Sequence, residues 1–107
     1  MPAYIIVLAN VTDADRYAQY TKVTPSVVAQ FGGRFVARNE RTRTLEGPQE
    51  RRRVVLLEFP SYELATAFYQ SHEYGRARRL REGAAEAQFI LVDGYSAFGP
   101  PPSPRPG

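Results

Sequence analysis

The chain has 107 residues, 43% of them hydrophobic, with no cysteine, no tryptophan, a single histidine and a formal net charge of +3. That length supports one domain with a modest core. The composition excludes disulfides, thiolate nucleophiles, sulfur-ligated zinc and any multi-histidine metal centre within one chain, so neither metal nor cofactor is expected.

The run AYIIVLANV (3–11) is apolar and β-branched, the pattern of a buried central strand. The stretch from Thr12 to Gly33 then reads as a helix. Thr12 or Asp13 caps it, acidic residues occupy its first turn, and Tyr17, Tyr20, Val27 and Phe31 recur at helical spacing. Pro25 predicts a kink or restart near Thr24, and Gly32-Gly33 a left-handed stop. RFVAR (34–38) and RVVLLEF (53–59) read as the second and third strands. Between them the polar segment 39–52, with Gly47-Pro48 as its turn, is long for a hairpin loop and is a candidate lid or dimer arm.

Pro60-Ser61 closes the third strand, and Ser61 can cap the helix YELATAFYQS. A further helical stretch, YGRARRLREGAAE, carries Tyr74, Ala77, Leu80 and Ala84 on one face, and AQFILVDGY (87–95) is the last strand. The order β-α-β-β-α-β predicts an α+β, ferredoxin-like domain with a four-stranded antiparallel sheet over residues 1–96. The proline-rich segment 97–107 reads as a disordered tail. No long apolar run is present, so the expectation is a soluble, cytoplasmic protein without membrane association.

Residues 34–53 hold seven arginines against three glutamates, a local excess of four positive charges. A charged hairpin edge explains this better than nucleic-acid binding. RNA-recognition domains of the same topology need exposed aromatics on their central strands, and RRVVLLEF offers only Phe59.

Pairing the second and third strands with Arg38 opposite Val54 puts Val36 opposite Leu56 and Arg34 opposite Glu58. This set faces away from the helices, and Phe35, Ala37, Val55, Leu57 and Phe59 face them. The Arg34–Glu58 pair is either a register-fixing ion pair or a site in which Glu58 is a base with a raised pKa and Arg34 an anion anchor. Tyr20, Tyr69 and Tyr74, with Tyr17, supply phenols for a pocket between sheet and helices, or are ordinary core with polar tips. Asn10, at the end of the first strand, is a ligand contact or a turn residue.

The stretches VTDADRYAQY, FGGRFVAR, LEG, RRVVLLEFPS, YQSHEYGRARRLR and FILVDGY follow one another in the order and spacing of a known family. By them the chain resembles the domain of unknown function 1330 family from residue 3 to about 96. The resemblance implies a ferredoxin-like fold that pairs as a dimeric α+β barrel, a homodimer with no established activity. Related barrels include cofactor-independent oxygenases and haem-degrading monooxygenases. Arg81 falls at the family's arginine after the Glu-Tyr motif, where it binds an anion, caps carbonyls or bridges the dimer. His72 stands where the family pattern tends to have proline, in Ser71-His72-Glu73-Tyr74. A helix boundary capped by Ser71 therefore accounts for His72 better than haem ligation or acid–base catalysis.

The expectation is a small-molecule-binding or cofactor-independent catalytic protein, with Glu58 as base and Arg34 or Arg81 holding a small acidic or aromatic molecule. The alternatives are a dimerising module that binds a protein partner through the 39–52 arm, and a haem-degrading-type monooxygenase.

Overall fold

The computed structural model describes residues 1–95. The tail expected over 97–107 lies outside them. The elements run β1 (Ala3–Val11), α1 (Ala14–Gln30), β2 (Arg34–Arg38), β3 (Arg53–Phe59), α2 (Tyr62–Gln70), α3 (His72–Arg81) and β4 (Ala85–Asp93). They form one antiparallel sheet in the order β2-β3-β1-β4, with the helices on one face. This is the expected ferredoxin-like arrangement. β4 begins two residues earlier than the sequence suggested.

Alternation sorts the strands into two faces. Ala3, Ile5, Val7 and Ala9 of β1 and Val55, Leu57 and Phe59 of β3 are buried against the helices. Phe68 and Tyr74 are the largest buried side chains contributed from α2 and α3, and with Phe59 they form the middle of the core. The opposite face carries Tyr4, Ile6 and Leu8 half-buried, and leaves Val36, Ile90 and Val92 exposed. No helix among the described residues is long and apolar enough to cross a membrane.

Local chemistry sets the boundaries. Asp13 caps α1, its carboxylate accepting from the Arg16 amide at 3.1 Å. The helix ends when the Gly33 amide reaches back to the Val28 carbonyl at 3.0 Å, with Gly32 in the left-handed region at φ 76°. Ser71 closes one helix and opens the next. Its hydroxyl donates to the Phe68 carbonyl at 2.7 Å and accepts from the Tyr74 amide at 3.0 Å. His72 is exposed as the first residue of α3.

Two expectations fail. α1 runs unbroken through Pro25. Proline lacks the N–H that would bond the carbonyl four residues back, which is that of Thr21. The Arg38 guanidinium donates to this carbonyl at 2.7 Å, so the orphaned acceptor is satisfied from the sheet and no restart is needed. The strand register also changes midway along β2. Arg34 pairs with Glu58 and Phe35 with Leu57, as expected, but a bulge at Val36 then sets Ala37 opposite Leu56 and Arg38 opposite Val55. One extra residue turns Arg38 from the open face to the helix face. β2 then ends at Asn39, whose φ is 60° and whose side chain accepts from the Val54 amide at 3.3 Å.

The 39–52 arm has no regular secondary structure. Its far end is tied down by Arg52, which pairs with Glu50 at 2.9 Å and donates to Gln88 of β4 at 3.0 Å. Bonds from Arg52 hold the Glu50 carboxyl down at about 2. Leu45 at the arm's tip is 87% exposed.

Candidate functional site

Polar groups converge on the helix side of the sheet, at the end where β1 stops and α1 begins. Tyr17 and Tyr20 are buried on the inner face of α1, one turn apart. Tyr74 comes from the first turn of α3 and Arg81 from its last. Arg53 arrives from β3 because it shares parity with Val55, Leu57 and Phe59, and Arg38 arrives through the bulge.

These side chains form a row in which two guanidiniums bracket a pair of tyrosine rings. The Arg53 guanidinium lies 5.6 Å from the Tyr17 ring, Tyr17 lies 5.4 Å from Tyr20, and the Arg81 guanidinium lies 5.5 Å from Tyr20. Arg81 is also 5.4 Å from Phe89 of β4, so two rings flank it. Arg38 covers Phe35 at 4.5 Å while bonding α1. The row borders a cavity of about 30 Å³ lined by Tyr17, Tyr20, Thr24, Phe35, Arg38 and Arg53.

The Tyr20 and Tyr74 hydroxyls lie 2.8 Å apart, one donating to the other. Burial pushes the Tyr20 phenol well above the usual tyrosine range and raises Tyr74 as well. Both stay protonated at neutral pH. Two hydroxyl protons share one bond between them, so the pair retains one proton with which to donate to a third group. The Nε atoms of Arg53 and Arg81 are buried and have no hydrogen-bond partner. Neither ion pair among the described residues involves Arg38, Arg53 or Arg81.

Arg34 and Glu58 occupy the opposite side of the sheet. Their cross-strand pair is present, with Arg34 Nε 2.8 Å from Glu58 Oε1. The arginine side chain is 72% exposed and the carboxylate 25%. Hydrogen bonding from Arg34 holds the Glu58 carboxyl below the usual carboxylate range, opposite to the raised value expected of a buried base. Tyr4, directly across from Glu58 on β1, is raised through hydrogen bonding to that carboxylate. The structure thus brings Tyr20, Tyr74 and Arg81 together and separates Arg34 and Glu58 from them by the thickness of the sheet.

Tyr69 sits at the rim of the cluster, stacked on Tyr74 at 5.4 Å and on Phe89 at 5.5 Å, with its hydroxyl accepting from Arg78 at 3.1 Å. It also lines a second, apolar recess of about 160 Å³ between α2 and β4, with Ala65, Phe89 and Leu91. Asn10 is exposed at the end of β1, in a polar recess of about 370 Å³ at the base of the arm. Arg38 and Arg53 were missed as site residues. Parity along RVVLLEF already put Arg53 on the helix face, whereas no local signal marks the bulge that delivers Arg38.

The family model for the domain of unknown function DUF1330 matches residues 2–95. The chain belongs to this family. Solved structures similar to this DUF1330 chain include RPA0582, a protein of unknown function from Rhodopseudomonas palustris. It is 23% identical, with a TM-score of 0.71 over 89% of this chain and 83% of that one. SnoaB, a cofactor-independent oxygenase from Streptomyces nogalater, is 10% identical with a TM-score of 0.62, over 91% and 96% of the two chains. A dimeric protein of unknown function and ferredoxin-like fold from Bacteroides fragilis is 13% identical with a TM-score of 0.52, over 87% and 96%. At these identities the likeness is one of fold. No curated protein matches the chain.

What the DUF1330 cleft offers chemically is donors. A protonated phenol and a guanidinium, held in an apolar surround, stabilise negative charge on whatever lies between them. Among the described residues no group of three histidines, aspartates or glutamates is placed to hold a metal ion. His72 is exposed where α2 meets α3 and does not line the cavity.

Proposed function

We propose that this protein binds a small organic molecule in the cleft between α1, α3 and the sheet, and that it does so as a homodimer of the α+β barrel type. The observation that carries the reading is a cavity between α1 and the sheet whose apolar wall is broken by Tyr20, Thr24, Arg38 and Arg53, with Tyr74 and Arg81 packed behind Tyr20. Ligand sites are characteristically apolar clefts with a few convergent polar groups. A catalytic form of the reading needs no cofactor: Tyr20 and Arg81 would stabilise an oxyanion formed on the substrate itself.

The second copy belongs on the open sheet face. Val36, Ile90 and Val92 are all more than 40% exposed there, beside Ile6 and Leu8. In this reading the Arg34–Glu58 pair and Tyr4 sit at the subunit interface, where a paired charge is tolerated and fixes register.

A thermal-shift screen of small acidic and aromatic molecules tests the proposal, run on the native protein, Tyr20→Phe and Glu58→Gln. Ligand-induced shifts should be lost in Tyr20→Phe and kept in Glu58→Gln. Shifts that survive in Tyr20→Phe and vanish in Glu58→Gln, with the dimer intact by light scattering, would move the site to the open face and restore Glu58 as its functional residue.

A further inference from the structure

We propose that the recess between α2 and β4 is a second binding site, and that it takes an uncharged single-ring aromatic molecule such as a phenol. It lies apart from the cleft under α1. Phe89 lines both spaces, so its ring is the wall between them.

The recess follows from one small residue. Ala65 and Phe68 are the buried residues of α2, one turn apart. Phe68 fills its position by packing on Phe59 at 5.1 Å and on Tyr74 at 4.7 Å. Ala65 offers only a methyl, and the space beside it lies over Ile5 and Leu91, which pair across β1 and β4. The result is an opening of about 160 Å³ between helix and sheet. Close-packed interiors leave few voids larger than a water molecule, so an apolar space of this size has room for an occupant that the chain itself does not supply.

Size and wall chemistry agree on what that occupant is. An apolar cavity of about 150 Å³ in a protein core takes benzene. This recess has the same room, with an aliphatic part from Ile5, Ala65 and Leu91 and an aromatic part from the Tyr69 and Phe89 rings, 5.5 Å apart. Both rings are braced by residues outside the recess. The Tyr69 hydroxyl accepts from Arg78 at 3.1 Å and its ring packs on Tyr74 at 5.4 Å. Phe89 has the Arg81 guanidinium at 5.4 Å and Tyr74 at 6.0 Å. Walls fixed before binding lose little freedom when a ligand arrives. An aromatic guest gains ring contacts against them that an aliphatic guest of the same size does not.

Charge agrees as well. Among the described residues no charged side chain lines the recess, so an ionised ligand would enter it without a counter-charge. The polar groups that remain are few. Arg78 engages the Tyr69 hydroxyl, and the Thr66 hydroxyl donates to the Tyr62 carbonyl at 3.0 Å. Gln70 is exposed at the rim, and its amide can both donate and accept. One uncharged polar substituent, a hydroxyl or a carbonyl, would meet Gln70 while the ring stays in the apolar part.

Methyl NMR of the native protein tests this with phenol as probe, cyclohexanol as the non-aromatic ring of similar size and benzoate as the charged ring. Phenol at millimolar concentration should shift the Ile5, Ala65 and Leu91 methyl signals saturably. Cyclohexanol should bind about fivefold more weakly, and benzoate should leave those signals unmoved. Ala65→Leu fills the recess and should abolish the response. Thr66→Leu fills it from a partly exposed position, and keeps the test open if Ala65→Leu does not fold. Unlike the ligands of the cleft, phenol should bind Tyr20→Phe unchanged. Equal binding of cyclohexanol would refute the aromatic selection, and a benzoate response as strong as that of phenol would refute the selection against charge. Phenol binding undiminished in the filled variants would overturn the site. Recess signals that move on dilution of the protein and not with phenol would make the occupant a second copy, and overturn the ligand. Val28 and Val55 signals that respond to phenol while Ile5 and Leu91 stay silent would put the ring in the cleft, which overturns this inference and leaves the proposed function standing.

Discussion

Removing both hydroxyls of the Tyr20–Tyr74 pair should cost well under the sum of removing each alone. The two oxygens lie 2.8 Å apart and both rings are at least 93% buried, so each hydroxyl depends on the other. Tyr20→Phe deletes one partner and leaves the Tyr74 hydroxyl in the core without its bond. An unsatisfied buried polar group of this kind costs about 1–3 kcal/mol. Tyr74→Phe should cost about the same for the same reason. In the double variant no orphan remains and the rings still fill their volume, so its cost should fall well below the sum of the singles, with a coupling of ~1 kcal/mol or more. Urea denaturation with unchanged m-values measures all four corners of the cycle. A single variant that loses ~1 kcal/mol should melt about 4–8 °C lower for a domain this size. Strict additivity, or two neutral single variants, would refute the claim that this bond is a dry, mutually dependent pair beside the cleft.

Three further outcomes follow from the geometry. A Cβ on Gly33 would sit 2.5 Å from the Phe59 ring, whereas one on Gly75 meets nothing within 4 Å. Gly33→Ala should therefore destabilise, and Gly75→Ala inside α3 should stabilise by about 0.5–1 kcal/mol, both read by urea denaturation. Glu58 is held below its ordinary value of 4.5, so the folded state binds its proton less readily than the unfolded chain. Its contribution is present above about pH 4.5 and is lost as pH falls through the lower folded value, so Glu58→Gln should flatten the acid limb of a melting-temperature profile. An unchanged limb would contradict the assignment. Ile90→Lys on the open face should shift the particle from dimer to monomer in light scattering, because it puts a charge at the centre of the proposed interface. A dimer indifferent to it would place the contact elsewhere.

Period and punctuation made most of the architecture legible. Alternation in AYIIVLANV and RVVLLEF fixed which side chains face the helices, and Ser61 and Ser71 marked helix starts where their hydroxyls do cap amides. The Arg34–Glu58 register was readable because a slip of one residue would have inverted β3. Two departures arose where a distant residue met a local need. Pro25 reads as a break in isolation, and only the Arg38 bond to Thr21, from an element 17 residues away, makes the unbroken helix affordable. The Val36 bulge has no turn residue to announce it, so Arg38 looked like surface charge. Arg53 was within reach, since its parity is that of Phe59, but it lay in a run of arginines and was read with them. Glu58 and Arg81 were both candidates for one site. Strand parity and helix face separately place them on opposite sides of the sheet.

Crystals soaked with a set of small carboxylic and aromatic fragments test the central claim most directly, which is that the ligand site lies on the helix side of the sheet. The account predicts electron density against Tyr20 and the Arg53 guanidinium, with Arg38 or Arg53 moved to admit it. Fragments bound only at Arg34 and Glu58 on the open face, with the cleft empty, would contradict it.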